Sequence, residues 1–337
     1  MPVPEVIRAI EEQRARLLAH EAETMREMAR RWLLVEDALK ADMFDLALYL
    51  NELYTKGEPV TPAQLMQMER YQRLIADARA EHAQYSAWAA NAIEADQRTQ
   101  VTQGVYDAQQ LIVAAGVDAK IAAITFDYIN VSAVEFMAGF ASDGTPLYDL
   151  LRASYPESVV QLTDTLIRGL ASGLGPRATA AKMAEDMAGN LERALLIART
   201  EQIRALRAGS LEQMKQSNVV NGYIRRAQLN AQTCPACLAL DGTYQKSAVV
   251  FASHPACRCY AQPVLKYGKT PQFPSGPEWF EKQPANVQAQ ILGPGKYQLF
   301  KDGALDWGKV ARVHDDPVWG PTIKQGLLND VKAGKDA

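Results

Sequence analysis

From Glu5 to Lys56 the chain mixes apolar and charged positions without one proline or glycine, and Ala, Leu, Glu, Arg and Met dominate. These are strong helix formers, so residues 5–56 predict a long helix or a helical pair. Leu34, Leu39, Phe44, Leu48 and Leu50 supply its apolar surface, at a spacing too loose for a coiled coil. Gly57-Glu58-Pro59 ends it. Thr61-Pro62-Ala63-Gln64 starts another helix. Thr is a good N-cap, Pro suits the first helical position, and Gln three residues after the cap completes a capping box. Val60 and Leu65 stand where a hydrophobic staple puts its two apolar partners. This helix is expected to run through Trp88 to about Glu94, to resume from Val105 to Ala115 and to stop at Gly116.

Residues 117–190 read as shorter helices with tight turns. Ser132-Ala133-Val134-Glu135 is a further capping-box pattern, and Asp143-Gly144-Thr145-Pro146 is a turn into a short helix with Leu147 and Leu150. Leu162, Leu166, Leu170 and Leu174 recur at helical spacing and are closed by Gly173 and Gly175. Pro176 opens the next helix, and Gly189-Asn190 is expected to end it. Asn190 to Gln216 is one more helix, weakened at Gly209. Leu196, Thr200, Ile203 and Leu206 share a stripe that Arg199, Glu201 and Arg204 flank. Glu201 and Arg204 are three apart and read as a surface pair worth ~0.3 kcal/mol.

The period changes at Gly222. Residues 223–229, 243–251 and 259–265 are strand-like, and the tail after them is rich in Pro and Gly: Pro271, Pro274, Gly276, Pro277, Gly293-Pro294-Gly295, Pro317, Gly320-Pro321. Three of the five tryptophans stand in that tail. Trp279, Phe280, Trp307 and Trp319 read as aromatic anchors that dock on the chain's own body or on a partner. The fold class is therefore mainly α. An elongated helical arm (1–116) and a compact helical unit (117–218) precede a small β-rich module (219–266) and an extended C-terminal docking arm (267–337). A plain helical bundle is the alternative for the first segment.

Composition adds little to this picture. A hydrophobic fraction of 48% and a charged fraction of 22% are ordinary for a soluble globular protein. No apolar run reaches the roughly 18 residues of a membrane span, and Met1 to Gln13 lacks the apolar region of a signal peptide. Charge adds more. The net charge of −3 divides into +7 between Arg199 and Thr270 and −10 elsewhere. A local basic surplus can meet nucleic acid or an acidic protein surface, and Arg225 and Arg226 are its partner-binding candidates.

All four cysteines of the chain fall within 26 residues: Cys234-x2-Cys237, then Cys257-x-Cys259, with His254 three positions before Cys257. Clustered thiols in a long chain without a signal point to a reducing compartment and a metal, not to a disulfide framework. Two close pairs joined by a loop suit the tetrahedral S/N shell of structural Zn2+. Cys234, Cys237, Cys257 and Cys259 form one ligand set; the other places His254 instead of Cys257 or Cys259. A module this small cannot hold itself by core burial alone, so a metal contributes.

The patterns for catalysis are incomplete. The deaminase signature needs H-x-E and a proline before the Cys pair, whereas Pro235 lies inside it. His20-Glu21 has no second histidine four residues on, and His82 and His314 are isolated. With His254 unligated, Asp241 and His254 are a conceivable acid–base pair. Gly303 to Lys309 nearly forms a phosphate loop, but Val310 stands where a hydroxyl is required. Gly173-x-Gly175-x-x-Ala178 joins two helices and follows no strand. The expectation is a protein without enzymatic activity.

Three motifs in order carry a resemblance. Ile197-Ala198-Arg199-Thr200-Glu201 lies on a helix. Thr233-Cys234-Pro235-Ala236-Cys237 with Asp241-Gly242 follows, then His254-Pro255-Ala256-Cys257-Arg258-Cys259 with Pro263-Val264. This set resembles the phage Mu F-like minor head proteins, also called head morphogenesis proteins of tailed phages and prophages. Asp143 to Gly173 and Trp279 to Gly293 extend the likeness to roughly 120–320. Tyr223 and Asn230 depart from it where the family has Trp and Asp, and neither is a metal ligand. The resemblance implies a minor component inside a phage head, made in the host cytoplasm and present in few copies at the portal vertex, assisting head assembly, DNA packaging or DNA release. Portal protein is then the expected partner, with major capsid or scaffold protein and packaged DNA as further ones. A zinc-containing nucleic-acid-binding protein is the first alternative, and a zinc hydrolase or effector delivered with phage DNA the second.

Overall fold

The computed structural model describes residues 5–124, 137–141, 144–172, 174–247, 249–267 and 273–333. The capping-box pattern at Ser132 to Glu135 lies outside them, as do Asp143, Gly173, Lys269, Thr270, Pro271 and residues 334–337. Among the described residues the order opens with α1 (Glu5–Thr55), α2 (Pro62–Gln67), α3 (Glu69–Ala114), α4 (Ala119–Ile124), α5 (Leu147–Arg152), α6 (Tyr155–Ala171) and α7 (Pro176–Gln216). β1 (Val220–Arg226), α8 (Pro235–Leu240), β2 (Tyr244–Lys246) and β3 (Tyr260–Leu265) follow. The chain closes with α9 (Gly276–Glu281), α10 (Ala285–Lys301), α11 (Trp307–Val310), β4 (Ala311–Asp316) and β5 (Gly320–Gln325). The mainly α class holds. No helix among the described residues is long and apolar enough to cross a membrane.

Two compact units share the chain. One gathers Ala19–Ala95 and Gly139–Arg199; the other gathers Met1–Leu18, Asp96–Ala138 and Thr200–Ala337. In the first, α1 buries Met28, Trp32, Val35, Leu39, Met43, Leu46 and Leu50, a stripe at steps of three and four. Leu34 and Leu48 are exposed. The leucines named from the sequence thus straddle two faces, and Trp32 and Met43 carry the real one. On α3, Tyr71, Leu74, Ala78, His82, Tyr85, Ala89 and Ile93 form the facing stripe. Buried hydroxyls there find acceptors: Tyr155 Oη donates to Ile75 O at 3.0 Å, and Tyr71 Oη lies 2.7 Å from Thr163 Oγ1.

Several helix ends differ from expectation. The Thr61–Gln64 capping box forms, Gln64 N donating to Thr61 Oγ1 at 3.3 Å and Thr61 N to Gln64 Oε1 at 2.9 Å. Its helix stops after one turn and a half at Met68, whose ψ of 129° is extended, and α3 then runs unbroken past Glu94. α7 continues through Gly189 and Asn190, because Asn190 is buried and Ser154 Oγ donates to its Oδ1 at 2.8 Å.

In the second unit, β1 is central in an antiparallel sheet of order β2-β1-β3, with Tyr223 opposite Gln245 and Pro263. One face packs Val220, Tyr223, Ala261 and Leu265 onto Ala108 and Ile112 of α3 and Met214 of α7. Helices α3 and α7 cross closely here. A Cβ on Gly104 would lie 1.9 Å from Leu206 O, and one on Gly209 would lie 2.0 Å from Val101 O. Gly209, read from sequence as a weak point, is the residue that lets the two backbones touch.

The tail is more regular than its turn residues suggest. Ser275 caps α9 with a full capping box, Pro284 caps α10, and Gly293 at φ 70° separates two helical halves before Pro294. Phe280, Ile291 and Leu292 pack on Leu238 of α8. β4 and β5 form an antiparallel hairpin, and its Ile323 joins the cysteine cluster. Trp279, Phe280 and Trp307 therefore pack on the chain's own body, one of the two alternatives the sequence left open, whereas Trp319 lies outside that cluster.

Two predictions follow from these packings. Gly209→Ala should lower stability by about 3 kcal/mol through overpacking, while Gly189→Ala, where nothing lies within 4 Å, should raise it by ~0.5–1 kcal/mol; thermal unfolding of both variants checks the contrast. Burial, helped by Arg152, lowers the His82 pKa from 6.5 to about 4. The neutral ring contributes stability that is complete above the unfolded value and is lost as pH falls from ~6.5 toward 4. His82→Phe should spare the protein about 3 kcal/mol of that loss, measured by urea unfolding at pH 7 and pH 4.

Candidate metal centre

The first knuckle is built by a turn and a helix start. Thr233 Oγ1 accepts from Asn230 N at 2.8 Å and donates to Gln228 O at 2.5 Å, tying the loop ahead of α8. Cys234 then occupies the N-cap position and Pro235 the first helical one, so Cys237 stands one turn on, on the same side. The second knuckle is a turn in which Cys257 N donates to His254 O at 3.1 Å. Ala256 adopts φ 54°, a left-handed conformation unusual for a residue with a Cβ, and its N–H donates to Thr200 Oγ1 of α7 at 3.0 Å.

These turns bring all five expected ligands together. Cys234, Cys237 and His254 offer donor atoms within 4.8 Å of one another, and so do Cys237, Cys257 and Cys259. Cys237 belongs to both groups, its Sγ lying 3.2 Å from His254 Nε2 and 3.7 Å from Cys257 Sγ. All four thiols are free. The 3.7 Å separation is far too long for a disulfide of ~2.05 Å. It matches the ~3.8 Å edge of a tetrahedron of sulfurs ~2.3 Å from a central ion. His254 Nδ1 is engaged with Pro255 O at 2.8 Å, which leaves Nε2 facing the sulfurs. The donor set fits a metal, and geometry alone keeps both the four-cysteine and the His254-containing shells.

The electrostatics divide the four thiols, favouring the thiolate at Cys234 and Cys257 and the thiol at Cys237 and Cys259. A hydrogen bond from Cys237 brings Cys234 down to about 4, against burial. Hydrogen bonds from Cys237 and Cys259 hold Cys257 well below the ordinary thiol value. Their donors are pushed up correspondingly, Cys237 by its bonds to Cys234 and Cys257. At Cys259 the bond with Cys237 favours the thiolate, yet Cys257 and burial together raise it to about 12. Burial disfavours charge on His254, but hydrogen bonding to Cys234 and the Cys257 charge raise it to about 9. Each knuckle thus carries one sulfur poised to lose its proton.

Sequence reasoning assigned two arginines to the wrong side of the surface. Arg225 and Arg226 are 5% and 6% exposed and present nothing to a partner in this fold. Alternation along β1 puts Tyr223 and Arg225 on one face, where Tyr223 stacks on Phe251 and the Arg225 guanidinium lies 4.3 Å from the same ring. Arg225 donates to Ala252 O at 2.7 Å and reaches Cys257 Sγ at 3.7 Å. Arg226 pairs with Asp241 at 3.6 Å, and Asp241 Oδ1 also accepts from Ala227 N at 2.6 Å. Asp241 therefore ties β1 to the end of α8. Phe280 is wholly buried; Trp279 and Trp307 are half-buried in the same cluster, and Trp319 is half-buried at the β4–β5 turn.

Helix α7 supplies what the sequence did not assign. Arg207 is buried and donates to Cys257 O. Glu201, expected in a surface pair, has no exposure; Gln97 Nε2 and Arg204 Nε donate to it at 2.8 and 2.7 Å. Arg199 pairs with Glu21 at 2.6 Å. Only the stripe position of Thr200 hinted that this helix faces the module.

The Thr200 contact gives a test. Thr200→Val leaves the Ala256 N–H without its acceptor and should cost ~1–3 kcal/mol and speed metal loss to a chelator. Ala256→Gly relieves a left-handed conformation worth ~1–2 kcal/mol and should be neutral or stabilising. Urea unfolding with and without chelator checks both.

No curated protein and no solved structure matches this chain. Residues 160–262 match the family described as "Phage Mu protein F like protein". The matched stretch contains the Arg199-Thr200-Glu201 helix and every candidate ligand from Cys234 to Cys259, so over that region the chain is similar to phage Mu F-like proteins.

Proposed function

We propose that this chain is a minor head protein of a tailed phage. It acts inside the head at or near the portal and assists head assembly, DNA packaging or DNA release. One observation carries the reading: the family match covers the same residues that build the sulfur cluster and the helix beneath it. The centre holds Zn2+, the ion that four S or N donors in two close pairs suit best, and Zn2+ serves folding. An enzymatic role finds no support in Asp241, the acid–base partner conceivable for His254 from the sequence, because Ala227 N and Arg226 already engage it.

The alternative, binding of nucleic acid through the +7 region, loses part of its basis. Arg207, Arg225 and Arg226 are buried, and Arg204 and Lys215 are paired with Glu201 and Glu212. A portal or capsid surface is the better-supported partner.

The test is association in the phage context. The full chain should co-purify with portal protein and be found at low copy number in purified heads by quantitative mass spectrometry. Its absence from heads would sink the proposal. Tight DNA binding that weakens steeply with salt, without portal association, would favour the alternative.

A further inference from the structure

Four elements of the second unit wall a cavity of about 50 Å³. Ile10 and Leu17 of α1, Leu111 of α3, Ile203 and Leu206 of α7 and Ala261 of β3 give it apolar sides. Of the five candidate metal ligands only Cys259 borders it. Its charged groups are mainly cationic: Arg14, Arg207 and Arg258 stand against one carboxylate, Asp107. Asp107 is already engaged, its Oδ1 accepting from Arg16 Nη2 at 2.6 Å and from Gln103 Nε2 at 2.8 Å. Arg14 donates to Ala227 O at a long 3.5 Å with its guanidinium 5.3 Å from the Tyr260 ring centre, and Arg207 donates to Cys257 O. In both arginines the Nε is shielded from solvent and has no acceptor among the described residues. Arg207 as a whole is more than nine-tenths buried.

A guanidinium keeps its proton inside a protein, and a buried donor without an acceptor has lost the hydrogen bonds it made to water. A small anion supplies both the acceptor and the opposite charge, and charge-assisted bonds of this kind are the strong ones. The apolar walls call for an apolar group on the same molecule, the usual make-up of a small-molecule site. Volume bounds its size. One water needs at least ~10–15 Å³, so the cavity has room for roughly four, which excludes a lipid chain. We propose that this cavity binds a compact apolar carboxylate. Its charged end is held on the arginine side, with Arg14 as the anion-recognising residue at the half-buried rim, and its apolar end lies among Leu17, Leu111 and Ile203. The site is separate from the function proposed above and stands whether or not the cysteines hold an ion.

The probe is isobutyrate. Isobutyramide matches its shape without the charge, and inorganic phosphate carries charge without an apolar group. In ligand-observed NMR titrations of the full chain at fixed ionic strength, isobutyrate should bind saturably at one site. It should bind about 10–100-fold more tightly than isobutyramide, the difference that one hydrogen bond to a charged group makes. Phosphate should not displace it. Arg14→Met should remove the preference for isobutyrate over isobutyramide, and Arg14→Lys should keep part of it. Leu17→Trp fills the cavity from its rim and should abolish binding of both probes. Absence of saturable isobutyrate binding overturns the site. Equal affinity for acid and amide overturns recognition of an anion. Displacement by phosphate at equal concentration, or binding that survives Leu17→Trp, reveals a surface cation outside the cavity and overturns the proposal as well. An unchanged preference in Arg14→Met overturns the role of that arginine. Should Arg14→Met fail to fold, the acid-to-amide ratio of the parent and of Arg14→Lys decides the same point.

Discussion

The second unit depends on Cys237. Its sulfur is the one donor common to both candidate ligand groups, and it lies buried in the cluster formed by Ala227, Ala236, Cys257, Cys259 and Ile323. The strands around it are seven, three and six residues long. A sheet of that size is marginal without support. An ion held by these donors would join two turns 20 residues apart and add to the packing of the sheet on α3 and α7, and apparent zinc-binding energies of about 10–16 kcal/mol in small zinc domains show how much folding such a site can drive.

The cluster is supported from beneath by one face of α7. Thr200 holds the backbone of Ala256, and Arg207, two turns later, holds the carbonyl of Cys257. The seven-residue spacing puts both on one face of the helix. Gly209 then brings the α3 backbone against the next turn, and Met214 ends the face under the sheet. A single helix thereby fixes the second knuckle by hydrogen bonds and the sheet by packing. This accounts for the presence of a Thr and an Arg on an otherwise apolar stripe.

Much of this was legible in the sequence because the signals were local. The four cysteines and His254, the Thr61 capping box and the strands on either side of the knuckles rest on residues close together in the chain. What the sequence hid was long-range. Leu34 and Leu48 look like core and are exposed, since only the partner helix decides which stripe is covered. The Pro- and Gly-rich tail looks irregular, yet Ser275, Pro284 and Gly293 start and divide helices. Arg225 and Arg226 look like surface cations, because a count of charge along the chain cannot tell a basic patch from internal counter-charge.

That last distinction changes what the charge asymmetry means. In the +7 stretch, Arg226 answers Asp241, Arg204 answers Glu201, Arg207 donates to the Cys257 carbonyl and Arg225 reaches the Cys257 sulfur. Thiols count as neutral in a formal tally, so a segment that binds a cation through thiolates looks more basic than it is once folded. Any thiolate in the cluster would subtract a charge that the tally omits. The basic surplus of this region is therefore in part internal: Arg207 and Arg225 are buried against Phe251 beside the cysteines, and Arg204 and Arg226 are paired with acids.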